Sequence, residues 1–324
     1  MNLNKEVGGY FELELGNFDN ICHDKALALN SGRNALEYIL RANKYKKVHI
    51  PFYTCDVILQ PLEKLNIEYQ FYYVKKDFTP ENINLKEDEV VLYVNYFGVM
   101  NHVISIIKQQ FKSIIIDNSQ AFYAQPIQGI DTFYSPRKFF GVPDGGFAYP
   151  NKKLEMELEY DESITRFSHL LMRVEFGPEK GFNDFKQNDA KLNNLPIRKM
   201  SKLTAKILRS IDYESALIIR NNNFRYLHEN LKDSNKLTEL LSREELNGAL
   251  VYPYLNHGND LLRQHLIKHQ VFIAQYWPNV SYWVKEKDAY EVFLQNNLLP
   301  LPIDQRYSIK DMEYVVKMLN DFRK

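Results

Sequence analysis

Two runs in this sequence, Val90–Val94 (VVLYV) and Ser113–Ile116 (SIII), are apolar at almost every position. A strand that is apolar on both faces needs cover on both, which helices flanking a parallel sheet provide and an open antiparallel sheet does not. Between the two runs lies a helix-like stretch from about His102 to Phe111, and the same alternation continues upstream. Asn30–Ser31 forms a capping pair ahead of Gly32–Leu40, whose apolar residues fall at helical spacing. Lys47–Ile50 reads as a strand, Asp56–Leu65 as a helix and Glu68–Val74 as another strand. Strands alternating with helices predict an α/β fold with a mostly parallel sheet. Such sheets gather ligands at the carboxyl ends of their strands, so chemistry is sought just after each strand.

Past about residue 195 the pattern changes. Pro196–Leu231 reads as one long charged helical stretch linking two parts of the chain. Beyond it, Ala249–Tyr254 and Val271–Ala274 read as strands, with helices at Asp260–Lys268 and Ser308–Phe322. The expected organisation is a large α/β domain over residues 1–230, linking helix included, and a small α+β domain over 231–324.

Composition narrows the function. With 41 basic and 41 acidic residues the chain has no net charge, which argues against a nucleic-acid partner held by a general positive field. Cys22 and Cys55 are too few for a disulfide framework, and the eight histidines lack metal-site spacing. No run is long and apolar enough to insert in a membrane, so a cytoplasmic protein is expected. The 22 Tyr and 20 Phe suit either a bulky core or large interfaces. Trp277 and Trp283 flank Pro278, where packing of the small domain is favoured over a wall for substrate.

Three features carry chemistry. Asp117 ends an apolar strand, where a carboxylate is costly to desolvate without a cationic partner. Lys138 stands in an aromatic, Gly- and Pro-rich segment, where partial desolvation would make it a nucleophilic amine. Ser31–Gly32–Arg33 opens a helix, whose free N–H groups suit an anion. Read singly, these are a turn residue, a surface charge and a helix start. In this order they match the three handles of pyridoxal 5'-phosphate (PLP): phosphate, ring nitrogen and aldehyde carbon.

On these residues the sequence resembles the DegT/DnrJ/EryC1/StrS family of PLP-dependent sugar aminotransferases, within the aspartate aminotransferase superfamily (fold type I). SGRNAL (Ser31–Leu36) is similar to the family's phosphate motif, IPFYTC (Ile50–Cys55) to its Pro–aromatic–Thr turn, and VNYFG (Val94–Gly98) to a segment ending in glycine. The specific part is DNSQA (Asp117–Ala121) together with KFFGVPDGG (Lys138–Gly146), which sets an acidic residue and a Gly–Gly pair at the family's distance from the lysine. NLLPLPID (Asn297–Asp304) resembles the closing turn before the last helix.

The resemblance implies that Lys138 holds PLP as an internal Schiff base and then serves as general base. It implies that Asp117 keeps the ring nitrogen protonated, that Gln120 lies beside the ring, and that Gly32 and Arg33 offer main-chain N–H groups to the phosphate. Glutamate would be the amino donor and a nucleotide-linked keto sugar the acceptor, for surface polysaccharide or related sugar synthesis. A homodimer with its active site at the interface is also implied. The sequence departs from the family at informative places. Arg33 replaces a threonine, and its guanidinium either contacts the phosphate or points elsewhere. Phe133 replaces a serine, leaving Ser135 as the candidate phosphate contact. Cys55 stands where many members stack an aromatic residue on the cofactor, so Tyr53 or Tyr96 is a candidate cover. A PLP-dependent dehydratase of the same fold usually has His in place of the lysine, which Lys138 opposes. The remaining alternative is a non-catalytic or regulatory relative that binds a sugar nucleotide.

Overall fold

The computed structural model describes residues 7–18 and 22–322. The chain runs β1 (Leu27–Leu29), α1 (Gly32–Asn43), β2 (Lys47–Pro51), α2 (Leu59–Lys64), β3 (Glu68–Tyr72) and β4 (Glu89–Val94). Then follow α3 (Asn101–Gln110), β5 (Ile114–Asp117), β6 (Asp131–Tyr134) and β7 (Gly146–Tyr149). These strands form a seven-stranded sheet in the order β1-β7-β6-β5-β4-β2-β3. The pairs from β6 through β3 are parallel, and β7 lies antiparallel to both β6 and β1. Every residue of β4 and β5 is buried, as their two-sided apolar sequence requires.

The short strands β1, β6 and β7 complete the sheet without long apolar runs to mark them, and Asp117 is the last residue of β5, at the strand end where it was expected. Two helices outside the expected pattern, α4 (Ser168–Phe176) and α5 (Phe182–Lys191), pack against each other after β7.

The long helix expected over Pro196–Leu231 is two helices, α6 (Lys202–Arg209) and α7 (Tyr213–Leu231), preceded by extended chain. Local capping breaks it. The Ser201 side chain accepts from Thr204 N–H and the Asp212 side chain accepts from Ser215 N–H, so each starts a helix of its own. Ahead of them, Lys199 bridges to Leu29 and Tyr160.

The C-terminal part holds α8 (Thr238–Leu241), β8 (Val251–Leu255), α9 (Asn259–Lys268), α10 (Val280–Trp283), α11 (Tyr290–Asn297), β9 (Leu298–Pro302) and α12 (Ile309–Phe322). The strand expected at Val271–Ala274 is not formed. That segment is extended chain with Val271 and Ile273 buried, and the partner of β8 is β9. Its Pro300 and Pro302 disguise a strand as a turn, yet Pro300 sits opposite Pro253, so neither position asks the other for an N–H. Trp277 is buried edge-on against Tyr53, and Trp283 packs on Phe71, joining this part to the sheet-bearing part.

Candidate active site

The candidate residues meet at the carboxyl ends of β4, β5 and β6, around the start of α1. Register places Asp117 between Val94 and Phe133 on the neighbouring strands. Its buried carboxylate accepts the Ser119 N–H at 2.7 Å, which turns the chain out of β5. Burial pushes the Asp117 carboxyl above its ordinary value, and the nearby Lys138 charge and the Ser119 hydrogen bonds offset this only in part. Lys138 ends a 3-10 turn over Pro136–Lys138, and its Nζ donates to Ser119 Oγ at 3.0 Å. Rather than desolvated, Lys138 is exposed, so the amine is reachable from solvent with a single hydroxyl orienting it.

The Asp-Gly-Gly run has a structural reason. Gly145 N–H donates to Asn30 C=O, and a Cβ on Gly146 would lie 2.3 Å from the Ser31 carbonyl oxygen. Only glycine lets β7 pass this close to the cap of α1. Asp144 anchors the pair from behind, accepting from Thr204 Oγ1 at 2.5 Å and meeting Arg166 at 3.2 Å. The N-terminus of α1 is thereby fixed, with Ser31 as its N-cap. Facing Gly32 is Ser135, whose Cβ would be 3.3 Å from a Cβ on that glycine. The start of α1 and the Ser135 side chain therefore lie side by side.

Gln120 is fully buried and its Oε1 accepts the Phe97 N–H at 2.7 Å. Gly98, at φ +77°, makes this contact possible, since a Cβ there would sit 2.6 Å from Gln120 O. The VNYFG and DNSQA segments are thus one interlocked floor. Cys55 is partly buried near Lys138, whose charge lowers the thiol while burial, the larger effect, raises it. Tyr53 and Tyr96 do not cover the cleft: both are 0% exposed and pack on each other and on Trp277. The Arg33 guanidinium points away from the helix start to Asp189 on α5, at 3.2 Å. Arg137 binds the same carboxylate at 3.1 Å, a contact that the residues around the lysine motif did not suggest.

Buried Arg220 on α7 was also not anticipated. It donates to the carbonyls of Phe139, Ala249 and Leu250 and to Gln305, and lies over the Phe139 ring. Among the described residues, no group of three or more His, Cys, Asp and Glu side chains is arranged to hold a metal ion.

This architecture is shared with known proteins. A DegT/DnrJ/EryC1/StrS aminotransferase from Brucella abortus superposes with a TM-score of 0.63 at 17% identity, over 92% of this chain and 85% of its own. The fold is that of the PLP-dependent sugar aminotransferases. PseC from Helicobacter pylori, an aminotransferase involved in the biosynthesis of pseudoaminic acid, matches with a TM-score of 0.61 at 13% identity, covering 91% of this chain and 86% of its own. A variant of GDP-4-keto-6-deoxymannose-3-dehydratase (ColD) with bound GDP-perosamine gives 0.59 at 13% identity, covering 91% and 88%. No protein-family model matches the sequence, and no curated protein does.

Proposed function

We propose that this protein is a PLP-dependent aminotransferase acting on a sugar. The observation that carries the reading is the pairing of an exposed amine with a buried carboxylate, Lys138 and Asp117, beside the start of α1. The residues present fit PLP. The helix start at Gly32 with Ser135 beside it suits a phosphate, and a protonated ring nitrogen would balance the carboxylate that burial leaves costly. Bound there, PLP supplies the electron sink that protein side chains lack.

The chain's own groups then have distinct tasks. Lys138 would hold PLP through its amine and, once freed by the donor amine, would carry the proton between the donor's α-carbon and the cofactor. Asp117 keeps the proton on the ring nitrogen. Ser119 orients the lysine, Gln120 holds the floor of the site, and Cys55 borders it. Gly32, Arg33 and Ser135 hold the phosphate, the first two through their main-chain N–H groups.

Glutamate as donor and a nucleotide-linked keto sugar as acceptor, in surface polysaccharide or related sugar synthesis, follow from the family likeness and from neighbours described as sugar enzymes. Lys138 favours amination over the dehydration that ColD's name describes. The division at residues 230/231 falls at the last residues of α7, ahead of the β8–β9 pair. A homodimer is supported by the apolar side chains that α4 and α5 leave in solvent, among them Leu171, Val174, Phe182 and Phe185. No helix among the described residues is long and apolar enough to cross a membrane, and a cytoplasmic location fits soluble nucleotide-sugar substrates.

The test is a half-reaction. Glutamate added to the PLP-loaded protein should bleach the yellow cofactor to its amino form, with one 2-oxoglutarate released per site. A colourless protein that never takes up PLP would favour the non-catalytic relative that binds a sugar nucleotide.

A further inference from the structure

The start of α1 is gripped from two sides. On one side Gly145 N–H donates to Asn30 C=O at 2.8 Å, and Gly146 lies against Ser31. On the other, Asn30 N–H donates to Arg198 C=O at 3.0 Å, and Arg198 N–H returns a bond to Asn30 Oδ1 at 3.2 Å. Met200 N–H, further along the same flank, donates to Ala28 C=O at 3.1 Å. Neither side has slack. A Cβ on Gly145 would meet side-chain atoms of Met200, Pro136 and Thr204 at 3.1, 3.2 and 3.3 Å.

Both flanks run into one buried ionic knot. Asp144, 0% exposed, directly precedes Gly145, and Asp161 is tied to the other flank by its N–H on Lys199 C=O at 2.9 Å. Buried Arg166, at the end of a 3-10 turn over Ile164–Arg166, joins the two carboxylates. Its Nη1 lies 3.2 Å from Asp144 Oδ2, and its Nη2 donates to Asp161 Oδ2 at 2.7 Å. Thr204 Oγ1 donates to Asp144 Oδ1 at 2.5 Å, and Arg198 Nη1 lies 3.5 Å from Asp161 Oδ1. Burial opposes the charge on Asp144, while Thr204 and Arg166 support it. Removing Arg166 strands that carboxylate in the interior, and a stranded charge takes up a proton or moves toward water. Because Gly146 packs on Ser31 at the limit of contact, such a movement carries the first turn of α1 with it.

We propose that Arg166 is a positioning residue for the phosphate site. By pairing Asp144 on one flank and Asp161 on the other, it fixes where the first N–H groups of α1 point, without itself touching the ligand. This rests on the PLP reading above and deepens it. Hydrogen bonds to a phosphate are directional, so a helix start held from behind by a buried ion pair is ready for the ligand before it arrives.

Comparing PLP with pyridoxal, which lacks the phosphate, isolates the claim, because both reach Lys138 and the absorbance of each bound form gives its dissociation constant. The proteins compared are wild type, Arg166→Met, Arg166→Lys and the double variant Asp144→Asn/Arg166→Met, in which Asp161 keeps Arg198. We expect Arg166→Met to bind PLP at least about tenfold more weakly, with pyridoxal affinity unchanged. Arg166→Lys, which keeps the charge and loses the fork, should fall between that variant and wild type, and the double variant should recover most of the loss. Should Arg166→Met fail to fold by circular dichroism, Arg166→Lys carries the same comparison with a smaller expected loss. Equal weakening of both ligands would make Arg166 general scaffold and overturn the proposal, as would an unchanged PLP affinity. A double variant as weak as Arg166→Met would overturn the charge-pairing argument. Failure of the wild type to bind either ligand would instead remove the PLP reading itself.

Discussion

Two cations stand on either side of Phe139, and they are treated in opposite ways. Lys138 opens onto the strand-end cleft with one hydroxyl for company, whereas Arg220 behind it is 1% exposed, with its donors shared among three carbonyls and an amide. Burial pushes the Arg220 guanidinium down to about 10, still charged at neutral pH. Arg220 ties the lysine segment to the chain just ahead of β8 and to Gln305 ahead of α12. The contrast separates scaffold from reagent. A cation whose donors are used up holds structure, and one left accessible on a rigid turn is available for chemistry.

Substitutions sharpen or break that contrast. Lys138→Ala should cut the glutamate half-reaction by at least ~10³-fold, while apo stability, followed by thermal melting, shifts by no more than ~0.5 kcal/mol because the side chain is exposed. Normal turnover would end its assignment as the reagent. Asp117→Asn should slow turnover by several orders of magnitude, and a change below about tenfold (~1.4 kcal/mol) would remove its role.

The same variant carries a pH signature. Burial raises the Asp117 carboxyl above its unfolded value, so the folded apo chain binds that proton more tightly than the unfolded chain. Ionised Asp117 therefore costs stability, increasingly as pH rises from the unfolded value through the folded one. Apo Asp117→Asn should melt above wild type at neutral pH and lose that advantage in acid. A variant less stable than wild type at neutral pH would contradict this.

Arg220→Met should do the reverse of Lys138→Ala. It strands buried carbonyls, at ~1–3 kcal/mol each, so a chemical-denaturation loss of ~3 kcal/mol or more is expected. A loss below ~1 kcal/mol would place Arg220 outside the scaffold. Ser119→Ala removes one hydrogen bond from the lysine, worth ~1 kcal/mol, and should slow the half-reaction by less than about tenfold with unchanged stability.

What could be read before the structure follows a physical divide. The two-sided apolar runs identified β4 and β5, and the helix-start, strand-end and lysine motifs lie within segments that fold locally and meet at one sheet edge. Their meeting needed only the rule that ligands gather at carboxyl ends of parallel strands. Long-range partners were illegible. Asp189 lies 156 positions from Arg33, and Arg220 lies 81 from the Phe139 carbonyl it holds. No local pattern marks either. Strand β9 was misread because its prolines signal a turn, whereas Val271–Ala274 has the apolar spacing of a strand but no partner. Tyr53 and Tyr96, plausible as covers from their motif positions, are claimed by the aromatic core beneath the cleft.

The most direct test of the account is borohydride reduction of the PLP-loaded protein, followed by peptide mapping by mass spectrometry. The account predicts one reduced adduct per chain, on Lys138. An adduct confined to other lysines, with bound PLP present and Lys138 unmodified, would contradict it.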